Sequence, residues 1–311
     1  MCNIEKLTTE STNESTRNID RLESLEIVTL INNEDKKVAE AIEKVLPQIA
    51  EAVEAIVDRF KKGGRIIYCG AGSSGRMGTL DAVELTPTYS VPPTRAFGLL
   101  AGGDEAMYTA VEGAEDSEEL ALEDLKRVKL TSDDCVIGIA ASGRTPYTMA
   151  ALEFGKQTGA FTISVTCNQA SAMAKIADIS IAPVVGPEVI NGSTRMKAGT
   201  AQKMVVNMLS TAAMVRLGKV YRNYMVHVQP TNEKLVKRAV KMIGEITGAE
   251  EELALKVLYE ADKEVAAAIV MIECGCQKDQ AQKALSESGG QVRKAIGAVK
   301  NGVYTDGKSL E

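Results

Sequence analysis

The amino-acid sequence predicts a doubly wound α/β protein: a five-stranded parallel sheet with a helical arm ahead of it and a small all-helical module behind it. Three observations carry that expectation. Five short apolar runs recur between residues 65 and 185, and runs of that length and composition are strands buried on both faces. Helical segments lie between most of them, which is the connection that parallel strands with right-handed crossovers require. After Gly218 the strand signal vanishes and only helical patterns remain.

Taken in order, residues 1–34 are polar and rich in Thr, Asn and Ser, and end in Asn32-Asn33-Glu34, which suits an irregular arm opening a helix. From Asp35 to Phe60 the apolar residues Val38, Ile42, Val45, Leu46, Ile49, Val53, Ile56 and Phe60 keep helical spacing, with Pro47 a kink or a restart. Strands are expected at Arg65 to Cys69, Ala96 to Leu100, Cys135 to Ala140, Phe161 to Thr166 and Ile179 to Val185. A long helix is expected from about Thr194 to Leu217. Helical patterns then run over Asn232 to Ile246, Glu250 to Glu260, Lys263 to Glu273, Lys278 to Ser286 and Gly290 to Val299, punctuated by Gly248, Gly275 and Gly289-Gly290. The expected division is an arm with its helix packed on the main domain at 1–62, the α/β domain at 63–220 and the helical module at 221–305. The last three helices of that module resemble the ubiquitin-associated three-helix bundle. The tail from Gly307 to Glu311 is left out of the fold reasoning.

Composition removes several function classes. A net charge of -6 argues against nucleic acid, whose phosphates would repel an acidic surface. Aromatic residues are 4% of the chain and Trp is absent, which disfavours a stacking platform for bases or glycans. No apolar run is long enough to span a bilayer, and Met1-Cys2-Asn3-Ile4-Glu5-Lys6 lacks the pattern of a secretory signal. The six cysteines form no CxxC pair, and Cys69, Cys135 and Cys167 sit in or beside strand-like runs. They read as reduced thiols of a cytoplasmic protein. With His227 the single histidine, no metal site is expected.

Ligands of doubly wound sheets bind beyond the carboxyl ends of the strands. Three segments there repeat one chemistry: Gly70-Ala71-Gly72-Ser73-Ser74-Gly75-Arg76, Ala141-Ser142-Gly143-Arg144-Thr145 and Gly192-Ser193-Thr194-Arg195. Each combines a small residue, one or two hydroxyls and an Arg just before a helix. Glycine admits close approach of the backbone, hydroxyls and N–H groups donate to oxyanions, and a helix N-terminus favours negative charge. One such segment is as well explained by helix capping as by a ligand; three on one sheet edge favour phosphate. The first also satisfies G-x-G-x-x-G, but no acidic residue stands at the second strand, where the chain reads Thr94-Arg95-Ala96-Phe97. A compact sugar phosphate therefore ranks above a dinucleotide.

Acidic residues cluster near the same edge: Asp81 and Glu84 on the helix after the first segment, and Glu112, Glu115 and Asp116 after the second strand. Spacing alone does not say which of them titrates usefully. His227, well past the last strand, reads as packing or surface. Arg195, Lys197 and Lys203 on the early turns of the long helix read equally as anion partners or as ordinary surface charges.

These motifs together resemble the N-acetylmuramic acid 6-phosphate etherases. The resemblance runs from Leu7-Thr8-Thr9-Glu10, with Asn13 and Asp20, through the Gly70 segment, Asp81-Ala82-Val83-Glu84, Glu112-Gly113-Ala114-Glu115-Asp116 and Ala141-Ser142-Gly143-Arg144-Thr145-Pro146-Tyr147. It ends in its longest block, Gly192-Ser193-Thr194-Arg195-Met196-Lys197-Ala198-Gly199-Thr200-Ala201-Gln202-Lys203. It implies a SIS (sugar isomerase) fold, a homodimer, a cytoplasmic place in cell-wall sugar recycling, and a carbon–oxygen lyase that needs no cofactor. The implied reaction splits the lactyl ether of N-acetylmuramic acid 6-phosphate into N-acetylglucosamine 6-phosphate and D-lactate. It implies further that Glu84 is the proton donor to the departing lactate, its pKa raised by burial, and Glu115 the second catalytic carboxylate, the C2 base. Phosphate and N-acetyl contacts are placed on Ser73, Ser74, Ser142, Thr145, Ser193 and Thr194. One departure is visible: Leu85-Thr86-Pro87 stands where the family has Cys-Pro-Pro, a change that bears on packing near Glu84 more than on its chemistry. Two rival readings share the fold, an aldose–ketose isomerase and a non-catalytic sugar-phosphate sensor.

Overall fold

In a computed structural model, which describes residues 8–302, the polar N-terminal stretch turns helical sooner than its composition suggests. Leu7 and the tail from residue 307 lie outside the described residues. α1 spans Ser24–Glu43, whereas the apolar spacing places its start at Asp35. The start is set by a reciprocal cap in which Glu26 Oε2 accepts from Glu23 N at 3.0 Å and the Glu23 side chain accepts in return. Leu25 and Val28 are 76% and 56% exposed, which blurs the helical pattern in this part of the chain. α2, Leu46–Lys61, is a fresh helix with Pro47 in its first turn, where a missing N–H is tolerated.

The sheet comes next. β1 (Ile66–Gly70), α3 (Gly72–Tyr89), β2 (Ala96–Leu100), α4 (Glu118–Arg127), β3 (Cys135–Ile139), α5 (Pro146–Thr158), β4 (Phe161–Val165), α6 (Ala172–Ile176) and β5 (Ile179–Ile181) alternate along the chain. The five strands are all parallel, in the order β2-β1-β3-β4-β5. β5 stops four residues short of the sequence expectation. Pro183 has no N–H to give a ladder, and it stands just past the end of this edge strand.

Both sheet faces are covered, which explains strands that are predominantly apolar. Ile67, Cys69 and Val136 share a buried cluster with Leu125 of α4 and with Tyr147, Ala151 and Leu152 of α5. On the other face α3 lies so close that a Cβ on Gly78 would sit 2.6 Å from Tyr68 Cβ. The buried thiols of Cys69, Cys135 and Cys167 are free, and burial raises the pKa of each, which keeps them unreactive.

α3 begins two residues after β1, and glycine makes that possible. A Cβ at Gly75 would fall 2.5 Å from Gly70 O and would also meet Leu100 Cδ1. Gly75→Ala is therefore expected to lower stability by about 1–3 kcal/mol through overpacking against backbone that cannot yield. Denaturant unfolding checks this, and a midpoint equal to wild type would mean that α3 does not dock so closely.

α7, Lys197–Arg216, closes this part of the chain, and five helices make up the rest: α8 (Glu233–Thr247), α9 (Glu251–Glu260), α10 (Val265–Cys274), α11 (Lys278–Glu287) and α12 (Val292–Lys300). By contacts the described chain forms two units, residues 8–83 with 93–211, and residues 84–92 with 212–302. In the second unit α10 is the hub. Val265 through Met271 are all buried, as befits a helix apolar all round, and α8, α9, α11 and α12 pack against it. His227 belongs to this unit, with Nε2 3.2 Å from Gly290 O.

Candidate active site at the β1–β3 switch point

The strand order reverses between β1 and β3, and the carboxyl ends of these strands are where doubly wound sheets take their ligands. The segments leaving these two strands are the first and second of the three hydroxyl-rich motifs. The fold thus brings Ser73 and Ser74 to the same edge as Ser142 and Thr145.

The first motif is not the loop that its glycines suggest. Helix α3 starts at Gly72, and Gly75 N already donates to Ala71 O at 3.2 Å. Ser73 and Ser74 therefore occupy its first turn, half-buried, where backbone amides lack intrahelical acceptors and the helix end favours an anion. Arg76 is spent internally. Its guanidinium donates to Ala106 O at 2.7 Å and to the carbonyls of Met107 and Thr109, bracing the segment that leads to Glu115.

The second motif turns through Gly143, whose φ of +69° favours glycine. Met173 N donates to Gly143 O at 3.1 Å, while Asn168 Nδ2 and Cys167 N donate to Ala141 O at 3.0 and 2.9 Å. Ser142 and Thr145 are half-buried within this bracing. Thr145 is the N-cap of α5, yet its side chain makes no capping bond, which leaves the hydroxyl for a ligand.

The third motif is held differently. Ser193 and Thr194 are half-buried ahead of α7, but the first amides of that helix are already taken. The buried Glu188 carboxylate accepts from Lys197 N at 3.0 Å and from Ala198 N at 2.9 Å. An internal carboxylate thus occupies these two amides of the helix start. The N-terminal arm holds this segment, with Thr16 Oγ1 donating to Val189 O at 2.9 Å and Asn13 Nδ2 to Pro187 O.

Lys197 is neither an anion site nor a surface charge. It is 1% exposed, and its Nζ lies 2.6 Å from Glu34 Oε2 of α1. α7 rejoins the crevice one turn later through Gln202, whose Oε1 accepts from Ser74 Oγ at 3.0 Å.

The acidic candidates separate by environment. Asp81 is buried and fully engaged, accepting from Tyr68 Oη (2.7 Å), Asn207 Nδ2 (2.6 Å) and Ser210 Oγ (3.0 Å). Burial raises its pKa and these bonds draw it part of the way back. It ties α3 to β1 and α7, and reads as structural. Glu84, near the end of α3, and Glu115, in the 3₁₀ turn Ala114–Asp116, are both exposed. The burial expected of Glu84 is therefore not found within this chain.

Sequence reasoning missed Glu188, Asn168 and Gln202, which hold the motifs in place. Only Gln202 left a signal, as part of the longest block of family resemblance. A cleft of about 780 Å³ also opens within the helical unit. Two of its polar side chains are occupied within it: Ser90 Oγ donates to His227 O, and Gln282 Nε2 to Glu264. Switch-point geometry favours the strand edge over this cleft.

A five-stranded parallel sheet with hydroxyl-bearing segments at its switch point defines a doubly wound α/β class, and two family models match within it. Residues 48–156 match the model of the glucokinase regulatory protein N-terminal SIS domain, and residues 110–212 match the SIS domain. The chain is 61% identical over 294 residues to N-acetylmuramic acid 6-phosphate etherase 1 of Enterococcus faecalis, covering 94% of this chain and 98% of that protein. It is 56% identical to the N-acetylmuramic acid 6-phosphate etherase of Clostridium botulinum over 94% of this chain and 97% of the relative. The corresponding protein of Clostridium beijerinckii is 53% identical over 96% of this chain and 98% of its own length. The chain belongs to the N-acetylmuramic acid 6-phosphate etherase family.

Proposed function

We propose that this protein cleaves the lactyl ether of N-acetylmuramic acid 6-phosphate, giving N-acetylglucosamine 6-phosphate and D-lactate, as a cytoplasmic homodimer in the recycling of cell-wall sugar. The observation that carries the reading is the 61% identity, spread over nearly the full length, to a protein named for that activity. The switch-point geometry supports it, since Ser73 and Ser74 on one side and Ser142 and Thr145 on the other bring hydroxyls to one edge for a phosphate and an acetamido group. Among the described residues no helix is long and apolar enough to cross a membrane.

The chemistry uses what the chain carries. Opening of the sugar ring places the C2 proton beside an aldehyde, where a carboxylate can remove it. The electron pair left at C2 forms the C2–C3 double bond as the C3–oxygen bond breaks, and lactate departs with a proton on the ether oxygen. Water then adds, its oxygen to C3 and its proton to C2. Glu115 is the base at C2 and Glu84 the acid at the ether oxygen.

The wild-type protein incubated with the phosphosugar should release D-lactate and N-acetylglucosamine 6-phosphate in equal amounts. A ketose without lactate would replace the reading with an isomerase. Tight sugar binding with no product would replace it with a sensor.

A further inference from the structure

The Ser74–Gln202 pair contains a mismatch that the reaction alone does not explain. Gln202 is 1% exposed, and its Oε1 accepts the one proton that the Ser74 hydroxyl has to give. Its Nε2 is buried and has no hydrogen-bond partner among the described residues. A buried, unpartnered amide N–H is among the rarer defects of folded chains. It stands beside a serine that is expected to donate to a phosphate, yet whose proton is committed elsewhere.

Resting on the proposed sugar-phosphate site, we infer that Gln202 is a positioning residue that sets the direction of the Ser74 hydrogen bond. The terminal torsion of glutamine is broad and roughly two-fold. Turning the amide over presents Nε2 to Ser74 Oγ. Ser74 then accepts from Gln202 and is free to donate its own proton to a phosphate oxygen. The turn gives the orphaned donor a partner and releases the serine proton in one motion, so oxyanion binding and amide orientation are coupled. An orphaned carbonyl, left where the donor was, is the better tolerated of the two. The effect reaches substrate only through Ser74, because Nε2 itself is buried.

Glutamate and methionine at position 202 separate this role from packing. A carboxylate can only accept, so Gln202→Glu keeps the serine proton and adds a negative charge one hydroxyl away from the phosphate. Methionine is similar in size and makes no demand on Ser74. Gln202→Glu is expected to raise KM for N-acetylmuramic acid 6-phosphate by about 10–100-fold, with kcat changed by less than about 3-fold, the pattern of lost uniform binding. Gln202→Met should raise KM by about 3-fold or less. The rise in melting temperature produced by N-acetylglucosamine 6-phosphate should vanish in the Glu variant and persist in the Met variant, with unphosphorylated N-acetylglucosamine silent throughout. Equal behaviour of the two variants, an unchanged KM in Gln202→Glu, or failure of both to fold would overturn the inference in favour of packing. If the wild type releases no lactate, the etherase reading fails separately. Protection from unfolding by inorganic phosphate, present in wild type and absent in Gln202→Glu, then still decides the role of Gln202, and equal protection overturns it.

Discussion

Glu84→Ala and Glu115→Ala are each expected to lower kcat for D-lactate release by about 10²–10⁴-fold, the range of a positioned acid or base, while KM moves little. The two losses should differ in kind. If Glu115 removes the C2 proton, substrate incubated in deuterated water with Glu84→Ala still acquires deuterium at C2, because the base is intact and only departure of lactate is slow. Glu115→Ala should show neither exchange nor lactate. An analogue whose leaving group is a stronger acid needs less help from a proton donor, so it should rescue Glu84→Ala and leave Glu115→Ala inactive. Near-normal lactate release by Glu84→Ala beside an inactive Glu115→Ala would remove Glu84 from the acid role. Both carboxylates are exposed on the chain.

The sheet is legible in the sequence because burial on both faces leaves a simple pattern. β2 begins and ends where the apolar run at Ala96 to Leu100 does, and the other strands fall within one residue of expectation except at the end of β5. Helix starts are less legible, since they depend on particular hydrogen bonds. α1 opens on a glutamate pair in place of the Ser or Thr usual at a cap, and its first turns expose Leu25 and Val28. The Gly70 segment has the composition of a loop because glycine ordinarily breaks helices. Here Gly75 and Gly78 are the contact residues of a helix pressed against strands, a requirement that exists only once the sheet is formed.

The placement of two of the three hydroxyl-rich segments is legible for the same reason. The segments that leave β1 and β3 must reach the switch point, which brings Ser73, Ser74, Ser142 and Thr145 to one edge of the sheet. The third segment shows where pattern reading stops. Gly192-Ser193-Thr194-Arg195 looks like the other two, but whether a helix N-terminus receives a ligand depends on what already sits there. Glu188, four residues before Gly192, is an acid in a chain with many, and nothing in its neighbours marks it as the cap of α7.

Lys197 illustrates the same limit and carries the largest expected effect on stability. Its ammonium and the Glu34 carboxylate form a buried pair at 2.6 Å, with side chains 1% and 6% exposed, and Lys37 approaches the other carboxylate oxygen at 2.6 Å from the surface. Burial pushes the Glu34 pKa up, and the bonds to the two lysines more than offset it, leaving it below the usual carboxylate value. Lys197→Met removes one partner and strands a buried charge, for which about 3–5 kcal/mol is the ordinary cost, with Lys37 holding the loss to the lower end. Lys197→Met combined with Glu34→Leu should recover most of that loss, since a buried pair is close to neutral against apolar residues of similar volume. The pH dependence has a definite sign. In wild type the Glu34 pKa is depressed on folding, so its contribution is complete above the unfolded value and is lost as pH falls through the folded one. Without Lys197 the burial effect gains weight and moves the carboxyl up, so acid relieves the variant while it weakens the wild type. The stability gap between them should therefore narrow steadily from neutral pH into the carboxylate range, as read by denaturant unfolding at each pH. A gap constant with pH would mean that Lys197 stabilises the chain through its methylenes, and that the ion pair contributes nothing to holding α7 against α1.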